Sequence, residues 1–297
     1  MDYLKKFGFI ILPALLAVYA EAEPIILKPA DNCRKSGETE IRVSPEYTWL
    51  LWGDISWQYL DLPVGFSYGV TDWLEVSAGA VCSARQRDAS GDLSQYYLNE
   101  KSWGSGPVSA GIKLNFLDDT PDTPEMAVGV EAEFSFTKTA ELKLGQGINV
   151  GAFFAMSKYI DPVTIYLNAG YKYTGPYDHH YNVVNAWLWG FVDGTIPVRV
   201  NPGDILSYGI GMELVLGDFT LLAEVETFSS QNMCVDGVTL DRSEGDSLYC
   251  YPGLIYHFGK WKLRLGAGFS VYDTFPFESW YRYDYQWKII SGISYDL

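Results

Sequence analysis

LPVGFSYGVTDWLEVSAGA, residues Leu62 to Ala80, decides the fold. Leu62, Val64, Phe66, Tyr68 and Val70 fall on one face before Thr71-Asp72, and Leu74, Val76, Ala78 and Ala80 fall on one face after it. Successive side chains of a strand point to opposite faces, so a period of two marks a strand with a single apolar face. Two such runs joined by a tight polar turn make an antiparallel hairpin.

Outward from this hairpin the same period recurs along nearly the whole chain. It runs through Ile41 to Leu51, Val108 to Phe116, Met126 to Phe136, Ile148 to Met156 and Val163 to Tyr173. It returns in Leu206 to Leu216, Phe219 to Val225, Leu248 to Phe258, Trp261 to Val271 and Tyr283 to Leu297. The total is twelve strands. Ile55, Trp57 and Tyr59 sit on the opposite phase from Leu62, which predicts a bulge near Leu60.

A soluble sandwich also has one apolar face per strand. Three features point instead to a transmembrane antiparallel up-and-down β-barrel. Single-chain bacterial barrels have an even strand count. Connection lengths alternate, with short ones at Thr71-Asp72, Leu117 to Glu125, Asp161-Pro162, Gly217-Asp218 and Gly259-Lys260. Long ones fill Ser83 to Gly106, Thr137 to Gly147, Thr174 to Asp204 and Ser229 to Asp246, the asymmetry of short periplasmic turns and long outer loops. Aromatics gather at both ends: Phe116, Phe219, Phe258, Trp261 and Tyr295 at the short turns, and Trp49, Phe136, Tyr171, Phe228, Tyr272 and Tyr283 at the long loops.

Composition agrees. The mean hydropathy of −0.02 fits half-apolar strands, as do 22 Tyr, 15 Phe, 10 Trp and 29 Gly. The net charge of −16 argues against a nucleic-acid partner, which needs a basic footprint. Lys5 and Lys6, the apolar run Phe7 to Ala20 and the small-x-small Ala20-Glu21-Ala22 read as a signal peptide over 1–22. A periplasmic lead over 23–37 and the barrel over 38–297 complete the division.

The segment NVVNAWLWGFVDGTIPVRV, Asn182 to Val200, predicts a hairpin turning at Asp193-Gly194. Spanning the membrane, it would raise the count to fourteen. Pro197 and the short second arm place it above the membrane or in the mouth. Cys234 and Cys250 either close a surface loop as a disulfide or remain thiols; no Cys/His spacing suggests a metal site.

The opposite parity lines the lumen. It puts Glu131, Glu133, Glu213, Glu224 and Glu226 on an acidic wall and Arg42, Lys262, Arg264 and Lys288 on a basic one. Lys113 is a candidate partner for Glu131 or Glu133. The walls either orient a solute in transit or pair and fill the interior. An enzyme with a serine nucleophile needs a histidine near the outer rim. His257 falls at the short-turn end, and His179-His180 has no serine close in sequence. No cofactor is expected.

The stretch Trp52 to Ala80, with its "YGVTD" end and "LEV" start, resembles a family of outer-membrane transporters associated with the meta-cleavage pathway of phenol degradation. GSGPVSAGIKLNFL, Gly104 to Leu117, matches a second element of that family, with Pro107 where the family has Asp. The resemblance implies a barrel that passes small, aromatic molecules. Partners expected on this reading are outer-membrane lipid and lipopolysaccharide, the barrel-assembly machinery and a small solute. The alternative is a non-conducting structural or surface-binding barrel.

Overall fold

The computed structural model describes residues 35–52, 55–89, 100–134, 147–183, 194–241, 243–274 and 287–296. The proposed signal peptide and most of the N-terminal lead lie outside them. Among the described residues every regular element is a strand. In chain order these are β1 (Thr39–Val43), β2 (Glu46–Trp52), β3 (Ile55–Thr71), β4 (Leu74–Ala89), β5 (Glu100–Leu117) and β6 (Glu125–Phe134). Next come β7 (Ile148–Ile160), β8 (Val163–Thr174), β9 (Tyr177–Val183), β10 (Gly194–Asn201), β11 (Ile205–Leu216) and β12 (Phe219–Ser230). The last are β13 (Cys234–Val235), β14 (Val238–Thr239), β15 (Gly245–Phe258), β16 (Trp261–Asp273) and β17 (Trp287–Asp296).

Thirteen of these form one antiparallel sheet, and its ends meet: β1 and β2 each pair with both β3 and β17. β1 and β2 are one barrel strand interrupted at Ser44-Pro45, so the barrel has twelve strands. Pro45 has no N–H to give the ladder. Ser44 N–H still donates to the Pro63 carbonyl at 3.1 Å, and the Pro45 carbonyl accepts from Ser291 N–H at 3.0 Å. Closure matters because each unpaired backbone group in hydrocarbon costs several kcal/mol, and only a barrel leaves no edge.

The outer face is apolar and open. Phe66, Ile112, Val130, Ile210, Leu265 and Phe269 are all exposed. So large an exposed apolar surface is what a lipid-facing wall requires. At the short-turn end an aromatic chain crosses four strands on this face. Ring centroids are 4.8 Å apart for Phe219–Tyr256, 5.5 Å for Tyr256–Phe258, 5.8 Å for Phe258–Trp261 and 6.5 Å for Trp261–Tyr295. At the other end Trp287 sits 5.3 Å from Tyr47 and 5.7 Å from Trp49. Phe228 leaves this second belt: it is buried on the lumen parity, 6.3 Å from Tyr249. Phe136 and Tyr283 lie outside the described residues.

All five short connections stand where the sequence predicts them. The Ser83 to Gly106 loop is different. β4 and β5 continue their ladder to Arg87↔Glu100, past a register shift between Ala80 and Cys82 opposite Gly106-Pro107. Polar side chains there suit a ladder that continues beyond the bilayer, which is why the loss of alternation resembled a loop. No bulge occurs near Leu60: β3 and β4 pair without a shift from Ile55 to Gly69, so Tyr59 stays on the lumen parity with Asp61.

The long-connection end carries a second sheet, ordered β14-β13-β10-β9. The 182–200 hairpin is therefore real but differently registered. Gly194 pairs with Val183, and residues 184–193, with the expected turn residue Asp193, lie outside the described set. It joins β13 through Val200↔Val235 and adds nothing to the barrel wall. Cys234 and Cys250 are both free thiols. Cys250 pairs with Val225 on the lipid-facing parity of β15, whereas Cys234 belongs to the second sheet.

Candidate functional site

Pairing register fixes which residues face inward. Gly65↔Gly79, Gly79↔Ser109, Ser109↔Glu133 and Glu133↔Asn149 form one inward row across five strands. Glu213, Glu224 and Glu226 fall on the same parity of β11 and β12, and Lys262, Arg264 and Lys288 on that of β16 and β17. Arg42 joins them from β1.

The two walls do not oppose each other at one level. Arg42, Lys262, Arg264 and Glu213 stand near the short-turn ends of their strands; Glu131, Glu133, Glu224, Glu226 and Lys288 stand mid-strand or higher. Several charges also have partners the sequence did not suggest. Lys288 Nζ is 2.5 Å from Glu46, Lys172 Nζ is 2.6 Å from Glu133, and Lys113 Nζ is 3.7 Å from Glu75. Lys113 thus serves Glu75 on the neighbouring β4. Ser83 Oγ donates to Asp61 at 2.5 Å, and Asn149 Nδ2 to Glu133 at 3.2 Å. Glu213, 3% exposed, accepts a short hydrogen bond from the Tyr166 hydroxyl.

Apolar and aromatic groups share the interior. Tyr166, Leu222, Phe228, Tyr249, Tyr251, Ile255 and Ile290 are all buried, and each lies on the inward parity. The signal for them was in the sequence. Once Leu248, Cys250 and Leu254 are assigned outward, Tyr249 and Tyr251 must point in. On β4, β5, β6 and β8 glycines stand on the inward face. A Cβ at Gly129 would stand 2.3 Å from Phe153 Cζ, so that ring lies flat across the glycine. Gly79, Gly111 and Gly170 are similarly overlaid by Ser109, Ser77 and Ser207, each hydroxyl within 2.8 Å of where a Cβ would be. The space the glycines leave at the wall is taken up by the polar and aromatic groups above them.

The histidines are placed apart from this arrangement. His257 Nε2 is 3.1 Å from Thr220 Oγ1 at the short-turn end, and His179 and His180 pair with Val198 and Pro197 in the second sheet. Among the described residues no group of His, Cys, Asp and Glu is arranged to hold a metal.

No family model matches the chain, and no curated protein matches it. Among solved structures the fold is similar to an outer-membrane channel from Pseudomonas putida F1, with a TM-score of 0.69 at 12% identity over 93% of this chain and 100% of that one. It is also similar to the toluene transporter TodX of Pseudomonas putida, with a TM-score of 0.52 at 12% identity over 94% of each chain. At this identity the likeness is one of fold.

Proposed function

We propose that this chain is an outer-membrane channel that passes small molecules, aromatic compounds among them. The observation that supports this most is the lumen. It is lined by ionised, hydroxyl and aromatic side chains on a wall thinned by glycine, inside a closed sheet whose outer face is apolar. The ion pairs Lys172–Glu133 and Lys288–Glu46 tie inward-facing side chains of different strands to one another. Such pairs cost desolvation that an apolar filling would avoid. Phe153, half-buried on the inward side of β7, gives a flat solute an aromatic face to slide against.

The finer reading follows the resemblance of Trp52 to Ala80 to transporters associated with the meta-cleavage pathway of phenol degradation. The fold shared with the toluene transporter TodX supports the same solute class. On this account the protein is not an enzyme, it sits among outer-membrane lipid and lipopolysaccharide, and it reaches that place through the barrel-assembly machinery. Swelling of liposomes containing the purified protein tests it. Entry of benzyl alcohol-sized solutes at a rate above protein-free liposomes is the expected result; rates equal to the protein-free control would remove the transport reading.

A further inference from the structure

Phe153 stands on the inward face of β7 with a glycine on either side in its register row, Gly129↔Phe153 and Phe153↔Gly170. Its ring leans toward β6 and takes the place that a Cβ at Gly129 would occupy. A Cβ at Gly170, on the other side, would lie 3.9 Å from the Cβ of Phe153. Glycine in the interior of a strand weakens it and marks a place where another group approaches closely. At Gly129 the approaching group is the Phe153 ring, which also packs on the buried pair Ala127 and Ala155.

The surroundings give this ring a particular position in the bore. One inward place higher, Gly151 stands between Glu131 and Lys172, and Lys172 holds Glu133 at 2.6 Å. A solute moving down this side of the wall therefore passes from a charged row onto an aromatic one. Tyr166, further down on β8, is buried with its hydroxyl on Glu213, whereas Phe153 is half-buried.

We propose that Phe153, held against the wall by Gly129, is a specificity-determining residue of the bore and favours flat aromatic solutes over saturated ones of the same size. Two aromatic rings in offset or edge contact gain more than the area they bury, and a saturated ring on Phe153 gains the area alone. Gly129 is the positioning residue. A larger side chain there would lift the ring off the wall and into the path, because the Ile112 carbonyl oxygen, 2.9 Å from the same Cβ, blocks the other way out. The inference rests on the transport reading and names what within it selects the solute class.

Reversal potentials across a planar bilayer test it, with benzyltrimethylammonium on one side and its cyclohexylmethyl counterpart on the other. The two cations share charge and carbon skeleton, and their fixed charge keeps them from crossing lipid unaided. The wild type is expected to prefer the benzyl cation about threefold, on the scale of one aromatic contact, and Phe153→Leu to bring the permeability ratio to about one. Gly129→Ala is expected to lower single-channel conductance, and Phe153→Ala added to it to restore the current. If Gly129→Ala does not fold on a heat-shift gel, Phe153→Trp, which enlarges the ring from its own side, takes its place with the same expected loss. A wild-type ratio near one, or a preference that survives Phe153→Leu, would overturn the selection. An unchanged conductance in Gly129→Ala, or a loss that persists without the ring, would overturn the positioning role. A folded, inserted wild-type barrel that passes no current removes the transport reading and this inference with it. A conducting barrel without preference removes this inference alone.

Discussion

The Lys288–Glu46 contact joins β17 to β2 across the barrel's closing seam, with side chains 15% and 23% exposed. Removing one partner leaves the other charge half-buried, so Lys288→Met should cost about 1–3 kcal/mol, and adding Glu46→Gln should recover part of it. Urea unfolding in liposomes of both variants and the wild type checks the sign and the recovery. Conductance responds to other carboxylates. Glu224 is buried, whereas Glu131 and Glu226 are half-buried. Replacing Glu131 and Glu226 by Gln should shift the reversal potential in a salt gradient toward anion preference in a barrel that still folds. An unchanged potential in a conducting variant would mean these carboxylates serve only to pair. Alternation alone assigns a parity to the nine charges, because one residue's face fixes its neighbour's. Their partners were not legible: Glu46, Glu75 and Lys172 meet Lys288, Lys113 and Glu133 only after register is set.

The largest short-turn connection is residues 118–124, and one side chain pins it at the level of the element. Lys158 Nζ, on β7, donates to Asp119 Oδ1 at 2.8 Å and to the carbonyls of Thr120 and Thr123, the second at 3.2 Å. An ammonium has three donors, and all three are used. Lys158→Met should destabilise the barrel by about 1–3 kcal/mol, the value of charged hydrogen bonds. Proteolysis between Leu117 and Glu125 should rise with it, and cleavage equal to wild type would contradict the role. β17 has a different task. Arg42↔Ser294, Ile41↔Tyr295 and Glu40↔Asp296 close the wall at its short-turn end. Deleting Ser294 to Leu297 should abolish folded protein in the outer membrane, because the exposed edge is prohibitive in lipid; normal folded levels on a heat-shift gel would refute the closure. Element boundaries were readable where apolar alternation meets Gly, Pro or Asp. They failed above the bilayer, where Arg85, Gln86, Arg87 and Lys101 extend a ladder that needs no apolar face.

The whole molecule is a closed wall with a composite interior. The lipid-facing surface was written in the sequence because it repeats twelve times, and repetition overrides local ambiguity such as the phase of Trp57 and Tyr59. The interior does not repeat. Whether Arg264 crosses Gly292 toward Arg42, or Tyr166 reaches Glu213, depends on strand stagger, which period-two patterning leaves open. The second sheet escaped for a similar reason, since β9 and β10 meet β13 and β14 across two separate long connections. The central claim is that this wall encloses a path. Purified protein inserted into a planar bilayer tests it most directly, with folding confirmed by a heat-shift gel beforehand. Discrete, reproducible conductance steps are the predicted result; a membrane that stays silent after verified insertion of folded barrel would contradict it.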